Sequence, residues 1–417
     1  MVAGQLHKTR DLNYKKKKMS EKLIILISSI KIRKYDITRF EIDDLELKFD
    51  NIVEIHELIE YVHPGFSSMF TNRYEDKRIK NFFNLQDWKN RILLLKKKFG
   101  KNILIYNLVR VNDFKSLKIN YFLKRNRFKI IAYSSNSYPF YNKKNILKKL
   151  FAIIENSSFS LKKVQIFMEQ KISIWIAQKL KLYSDFIIST GNNNIKELKA
   201  NRYTKILFGH SYDFNMYLKY KNTKYSRDGN YGLFLEAPTP LYNLGDDFIN
   251  DKNEFNGTPN KWLKSLNKFF DFIESELNIK ILIAPHPKIK HLEKFSKHYN
   301  GREVLDYNLY QAAKKSKIMI SRDSSGFSYA AIYKIPAIFI YTEELKKKNK
   351  NFIKNQKNYA STFGLLPMNI DEDLSKEKLK NILKFDEEKY KEHINFYLTS
   401  GKSSKNNSEI INQCFNF

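Results

Sequence analysis

The chain has 417 residues, and at about 150 residues per domain that length excludes a single small binding module and favours two large domains. Hydrophobic residues make up 42% and aromatics 15%, enough to fill a core and too many for a disordered chain. The net charge of +31 suits phosphate-bearing partners (nucleic acid, anionic lipid headgroups, nucleotide-activated substrates), but Lys is scattered through every segment, so compositional drift explains much of it.

In chain order, residues 1–20 read as a basic, solvated tail ending in Lys15–Lys18, with Met19 as an alternative start. The apolar run Leu23–Ile30 is far too short for a membrane span, and Glu21 and Lys22 before it argue against a secretory signal. Short aliphatic runs then alternate with helical patterns. Strands are predicted at Lys22–Ser28, Asn51–His56, Asn102–Leu108, Phe128–Tyr133, Asp185–Ser189 and Thr204–Phe208. Helices are predicted at Asp36–Phe49, Gln86–Phe99, Asp113–Arg125 and Leu161–Leu182. This alternation is the pattern of βαβ units in a parallel sheet, and it defines an N-terminal Rossmann-like domain over 21–210. Residues 211–229, rich in Tyr, Asn, Lys and Asp, show no sustained period and read as a linker.

A second alternation spans 230–374: strand Tyr231–Glu236, helix Asn260–Leu277, strands Ile279–Ala284 and Glu303–Leu305, and helix Leu309–Lys315. Strand Lys317–Ser321, helix Ser325–Tyr333 and strand Ala337–Tyr341 complete it, and residues 375–417 form a charged tail of helical period. The predicted fold is therefore α/β, two tandem Rossmann-like parallel-sheet domains facing across a cleft. The lone Cys414 rules out an intramolecular disulfide and makes a reducing compartment, the cytoplasm, the default.

Ligands of open parallel sheets bind beyond the carboxyl ends of the strands. Two such ends carry unusual residues. After Ile281–Ala284, His286 is held between Pro285 and Pro287, with Lys288 next, so a stiff turn presents the imidazole. After Ile318–Ser321 come Arg322, Asp323, Ser324, Ser325 and Gly326, hydroxyls and a glycine that open a helix and suit an anion. Each signal alone is equally well read as a loop histidine or an ordinary cap; together they describe a seat for a nucleotide phosphate, with Lys288 and Arg322 adding charge.

With these motifs the sequence resembles the GT-B glycosyltransferases of bacterial capsule and lipopolysaccharide synthesis, in particular the CMP-sialic-acid-dependent sialyltransferases. That resemblance implies that His286, Pro287, Ser324 and Ser325 contact the donor phosphate, and that His286 also takes part in catalysis. Similar turns in teichoic-acid polymerases that use CDP-alditols leave the donor base suggested as cytosine. No convincing His/Cys metal cluster is seen, and no cofactor and no metal are expected, so leaving-group charge would fall to the histidine, the hydroxyls and a helix dipole.

An inverting transfer also needs a base, which the resemblance places in the N-terminal half. Asp36, after the first strand, is the candidate, although it equally suits a helix cap; Glu41 suits a solvated face. His63-Pro64-Gly65 reads as a plain turn, and His210 is ambiguous. Glu236 and Glu343, each just past a strand, are candidates for donor ribose or sugar, with an ion pair and a charged helix start as the competing readings. The implied partners are a nucleotide-sugar donor, a glycan or lipid-linked glycan acceptor, and peripheral contact with an anionic inner membrane. The competing readings are alditol-phosphate or pyruvyl transfer on the same scaffold, and a basic nucleic-acid-binding protein, for which no RRM, KH, helix-turn-helix or zinc-finger signature is found.

Overall fold

Two all-parallel sheets organise the chain, and their central strands bury aliphatic side chains on both faces. A computed structural model describes residues 21–65, 74–134, 161–192, 203–224, 229–237, 258–286, 296–305 and 309–416. The expected tail 1–20, and with it the question of Met19, lies outside these residues, as do Pro287 and Lys288.

The first sheet has seven strands in the order β3-β2-β1-β4-β5-β6-β7, with β1 Leu23–Ser28, β2 Ile52–Glu57, β3 Ile79–Asn81, β4 Ile103–Asn107, β5 Lys129–Ser134, β6 Phe186–Thr190 and β7 Lys205–Gly209. Every residue of β1, Leu-Ile-Ile-Leu-Ile-Ser, is buried because β2 and β4 flank it and helices cover both faces. The second sheet has five strands in the order β12-β11-β10-β8-β9, with β8 Tyr231–Leu235, β9 Lys280–Ala284, β10 Ile318–Ser321, β11 Ala337–Tyr341 and β12 Met368–Asn369. Its core carries the amphipathic helix Pro259–Leu277, whose Trp262, Leu266, Phe269, Phe270 and Ile273 pack on one face of the sheet. Among the described residues no helix is long and apolar enough to cross a membrane.

The departures from expectation have local causes. The expected helix Asp36–Phe49 is two helices, Lys34–Arg39 and Ile42–Leu47, because Glu41 between them adopts a left-handed backbone (φ 51°) that sends its carboxylate to the Ser408 amide 2.6 Å away. The stretch read as a linker holds the helix Tyr212–Tyr220, capped by Ser211 and burying Asp213, Asn215 and Met216. The expected strand Glu303–Leu305 is reduced to a single bridge of Val304 to Ile283. Helix Ser325–Tyr333 begins as a 3₁₀ turn, Ser325–Phe327, before the α-helix Ser328–Tyr333. Strands β3 and β12 and the polar helix Lys350–Ser361 escaped prediction.

The tail runs through helices Lys376–Ile382 and Glu387–His393 and returns to the first sheet. His210 anchors it: Nδ1 lies 2.9 Å from Thr399 Oγ1, Nε2 3.1 Å from the Lys405 carbonyl, and the backbone of His210 exchanges hydrogen bonds with the Asn407 amide group. Burial lowers the His210 pKa, so this ambiguous histidine serves as a neutral strut. Gly191 (φ +63°) makes the same return possible, since a Cβ there would lie 2.3 Å from the Phe396 carbonyl oxygen.

Candidate functional site

The register of the second sheet sets the geometry. Leu235 of β8 pairs with Ala284 of β9 on one side and Ser321 of β10 on the other, so three neighbouring parallel strands end on one line. The residues just past that line are His286 after β9, Glu236 after β8 and Arg322–Gly326 after β10. His286 and Ser324 therefore stand on one edge, about two strand spacings or ~10 Å apart, with Glu236 between them. That span is one that an imidazole and a hydroxyl can close around a single phosphoryl group.

Each segment is fixed from below. The Glu236 amide continues the ladder by donating to the Ala284 carbonyl at 3.0 Å, and Ser321 Oγ donates to the Leu235 carbonyl at 2.8 Å. The Arg322 carbonyl accepts from Gln356 Nε2 at 2.6 Å, and the same nitrogen donates to the Ile340 carbonyl at 2.8 Å, clamping the ends of β10 and β11 to helix Lys350–Ser361. Arg322 is only 3% exposed; its guanidinium carbon sits 5.0 Å from the centre of the Phe352 ring, and Nε donates to Asp323 Oδ1 at 3.1 Å.

Ser324 is the cap the sequence suggested. Its Oγ accepts from the Gly326 amide at 3.2 Å and its carbonyl accepts from the Phe327 amide and the Tyr359 hydroxyl. With the Ser324 amide donating to Ser321 Oγ at 3.2 Å, the turn uses three of the amides expected to face an anion, but the Ser324 hydroxyl proton is still available to donate. Ser325 is exposed at the tip. Gly326 has to be small: a Cβ would come within 3.1 Å of methyl carbons of both Leu235 and Leu309.

Glu236 differs from its neighbours. It is 4% exposed, Oε1 accepts the hydroxyl proton of buried Tyr299, and Oε2 is buried with no hydrogen-bond partner among the described residues. Burial pushes its pKa up to about 8, against the pull of the Tyr299 hydrogen bond and the Arg322 charge. Glu343, one strand further along, is tied into a surface network: its amide donates to Asp371 Oδ2, and Oε2 accepts from Asn369 and Lys346. Beside it a cavity of about 250 Å³ is lined by Thr342, Glu344 and Asp371 and by Lys261, Trp262 and Lys264 of helix Pro259–Leu277.

In the first half, Asp36 is 2% exposed, and its carboxylate accepts from the Arg33 amide at 3.1 Å and the Arg33 Nε at 2.9 Å; the N-cap of helix Lys34–Arg39 is Arg33, so Asp36 closes a capping box from inside the helix and is not itself the cap. Gly65 of the His63-Pro64-Gly65 turn is left-handed and donates its amide to Glu60 Oε2. Sequence reasoning missed Asp213. Buried on helix Tyr212–Tyr220 near Ser328 and Tyr329 of the second half, it has its pKa pushed up to about 7 by burial, against the nearby Arg39 charge. The signal for that helix was Ser211, an N-cap residue before Phe214 and Met216. Tyr299 was missed for a different reason: it lies on an isolated 3₁₀ turn, Ser296–Tyr299.

No family model and no curated protein sequence matches the chain. Among solved structures, it is similar to a UDP co-structure of MnaA from S. aureus (12% identity, 95% of each chain, TM-score 0.48). It is also similar to the wall teichoic acid polymerase TagF (12% identity, 95% of this chain and 89% of that one, TM-score 0.49) and to the glycotransferase of kitacinnamycin (8% identity, 95% and 99%, TM-score 0.47). At such identities and TM-scores, these likenesses bear on neither substrate nor reaction.

Proposed function

We propose that the protein is a metal-independent glycosyltransferase that transfers a sugar, with inversion, from a nucleotide donor, CMP-linked by preference, to a surface-glycan acceptor. The observation that carries this reading is the alignment of His286, Glu236 and Arg322–Ser325 on the carboxyl edge of three adjacent parallel strands. Here His286 and Arg322 supply charge and the Ser324 and Ser325 hydroxyls supply directed donors to the donor phosphate, so that the leaving group gains stabilisation as its charge develops. The Thr342–Glu343 end of the same edge, with its adjoining cavity, provides room for the donor's sugar. The acceptor is a glycan, lipid-linked at an anionic cytoplasmic leaflet, where a chain of net charge +31 gains from the surface potential.

The test is thermal stabilisation by CMP-, CDP-, UDP- and GDP-linked donors. A ligand at 100 times its Kd adds ~2.7 kcal/mol, and the expected result is a rise in Tm with a cytidine or uridine nucleotide. Stabilisation by CDP-alditols alone would replace sugar transfer with alditol-phosphate transfer. No shift with any nucleotide, together with salt-dependent RNA binding, would overturn the proposal.

A further inference from the structure

The helices on the two faces of the first sheet carry opposite charge. Helices Leu85–Phe99, Phe114–Arg125 and Leu161–Lys179 form one layer: the first two pack on the same side of the strands and on each other through Trp88 and Phe122, and the third packs beside the second. Their sequences hold thirteen basic residues against two acidic ones, a net +11. Helices Lys34–Arg39, Ile42–Leu47 and Asn407–Gln413 cover the other face, with two basic residues against five acidic ones, a net −3. Compositional drift loads both faces of a sheet alike, so it does not account for this difference.

The basic layer also leaves large apolar side chains in the open. On helix Phe114–Arg125 the outward stripe is Phe114, Lys118, Tyr121 and Arg125, ring and cation alternating at helical spacing. Helix Leu161–Lys179 repeats the theme with Ile172, Trp175 and Lys179, and helix Leu85–Phe99 with Leu94 and Lys97; Trp175 is 59% and Leu94 63% exposed. Arg91 and Lys124 of the same layer are tied to Glu54 and Asp185, so the outward cations are the ones that meet a partner. Aliphatic side chains such as Leu94 and Ile172 gain by entering acyl chains and give a nucleic acid base nothing to stack on. Trp, Tyr, Lys and Arg are the residues that suit the headgroup level.

We propose that this helix layer is the docking surface for an anionic membrane leaflet, with its outward cations on lipid phosphates and its apolar side chains at the headgroup–acyl boundary. It locates the membrane contact of the proposed function, but it stands on the first sheet and is independent of the phosphate seat on the second.

The experiment is flotation of the full chain, without nucleotide, on vesicles of phosphatidylcholine alone and of phosphatidylcholine mixed with phosphatidylglycerol. Binding is expected only with the anionic mixture. Of the three tryptophans, Trp88 and Trp262 are buried and Trp175 is exposed, so Trp175 reports insertion: emission shifts to the blue on anionic vesicles, and Trp175→Phe removes the shift. The triple variant Lys97→Gln, Lys118→Gln, Arg125→Gln loses about 100-fold in vesicle affinity, at roughly fivefold per cation. Lys347→Gln, Lys350→Gln, Lys357→Gln, the same charge change on exposed lysines of the second half, loses far less. Circular dichroism and Tm confirm the fold of each variant. Equal losses in the two triple variants reduce the binding to net charge and overturn the assignment of this face. Binding without a tryptophan shift overturns the apolar contact. No flotation with anionic vesicles, whether or not the chain binds single-stranded RNA through the same cations, overturns the docking surface. Because no nucleotide is present, failure of the seat leaves these results unchanged, and His286→Ala floats as wild type does.

Discussion

The carboxyl edges of the two sheets differ in how far the fold ties up their side chains. On the first, polar side chains hold the chain together: Asp36 binds the Arg33 cap, Glu41 Oε2 the Ser408 amide, and His210 Thr399, Lys405 and Asn407, while Glu41 Oε1 is buried without a partner among the described residues. On the second, Glu236 Oε2 stays unpartnered and the Ser324 hydroxyl keeps a proton to donate, while the backbone beneath them is clamped by Ser321 and Gln356. A strand end is thus only a potential site. It becomes a candidate for chemistry when neighbouring strand ends bring imidazole and hydroxyl side chains to one edge, as β9 and β10 bring His286 and Ser324.

Mutations should separate the two edges. The largest stability effect is expected from Glu41→Ala, which strips the buried Ser408 amide of its acceptor and loosens the returning tail; a loss of about 2–3 kcal/mol with unchanged nucleotide affinity is the outcome to look for in denaturant titrations. His286→Ala should do the reverse. Loss of a hydrogen bond to a charged group lowers nucleotide affinity roughly 10- to 100-fold, read by calorimetry, while Tm moves little because His286 follows the last residue of β9. An equal effect of both substitutions on stability and on binding would erase the contrast.

A subtler distinction lies in pH. The folded pKa of Glu236 is about 8, above the ordinary 4.5, so the native state holds a proton that the unfolded chain has lost. Its contribution is complete below 4.5 and is lost as pH rises through about 8. The Tm advantage of Glu236→Gln over wild type should therefore widen from pH 5 to pH 8 in a calorimetric series. The smallest effect is expected from Asp36→Asn, which weakens a capping interaction with a partly exposed arginine and costs about 1 kcal/mol. A loss of turnover far beyond that cost would return Asp36 to the role of base.

Much of this was legible because a buried parallel strand is an uninterrupted aliphatic run. Ile281–Ala284 and Ile318–Ser321 stand out for that reason, and the strand-end rule then singles out His286, Glu236 and the Arg322–Gly326 turn. What escaped depended on distant partners. Helix Lys350–Ser361 buries Phe352, Ile353, Gln356, Tyr359 and Ala360 amid Lys and Asn, and Gln356 is there to clamp two strand ends. The break at Glu41 answers to Ser408, 367 residues away. Asp213 is buried against Ser328 and Tyr329, and Glu236 is neutralised by burial beneath Tyr299, neither of which leaves a periodic trace.

The most direct test is a crystal structure with CMP or UDP bound. The account predicts phosphate oxygens at hydrogen-bonding distance, about 2.7–3.2 Å, from His286 and the Ser324 hydroxyl over the end of β8. A nucleotide whose phosphate lies against the first sheet, or on the second sheet away from these side chains, would contradict it.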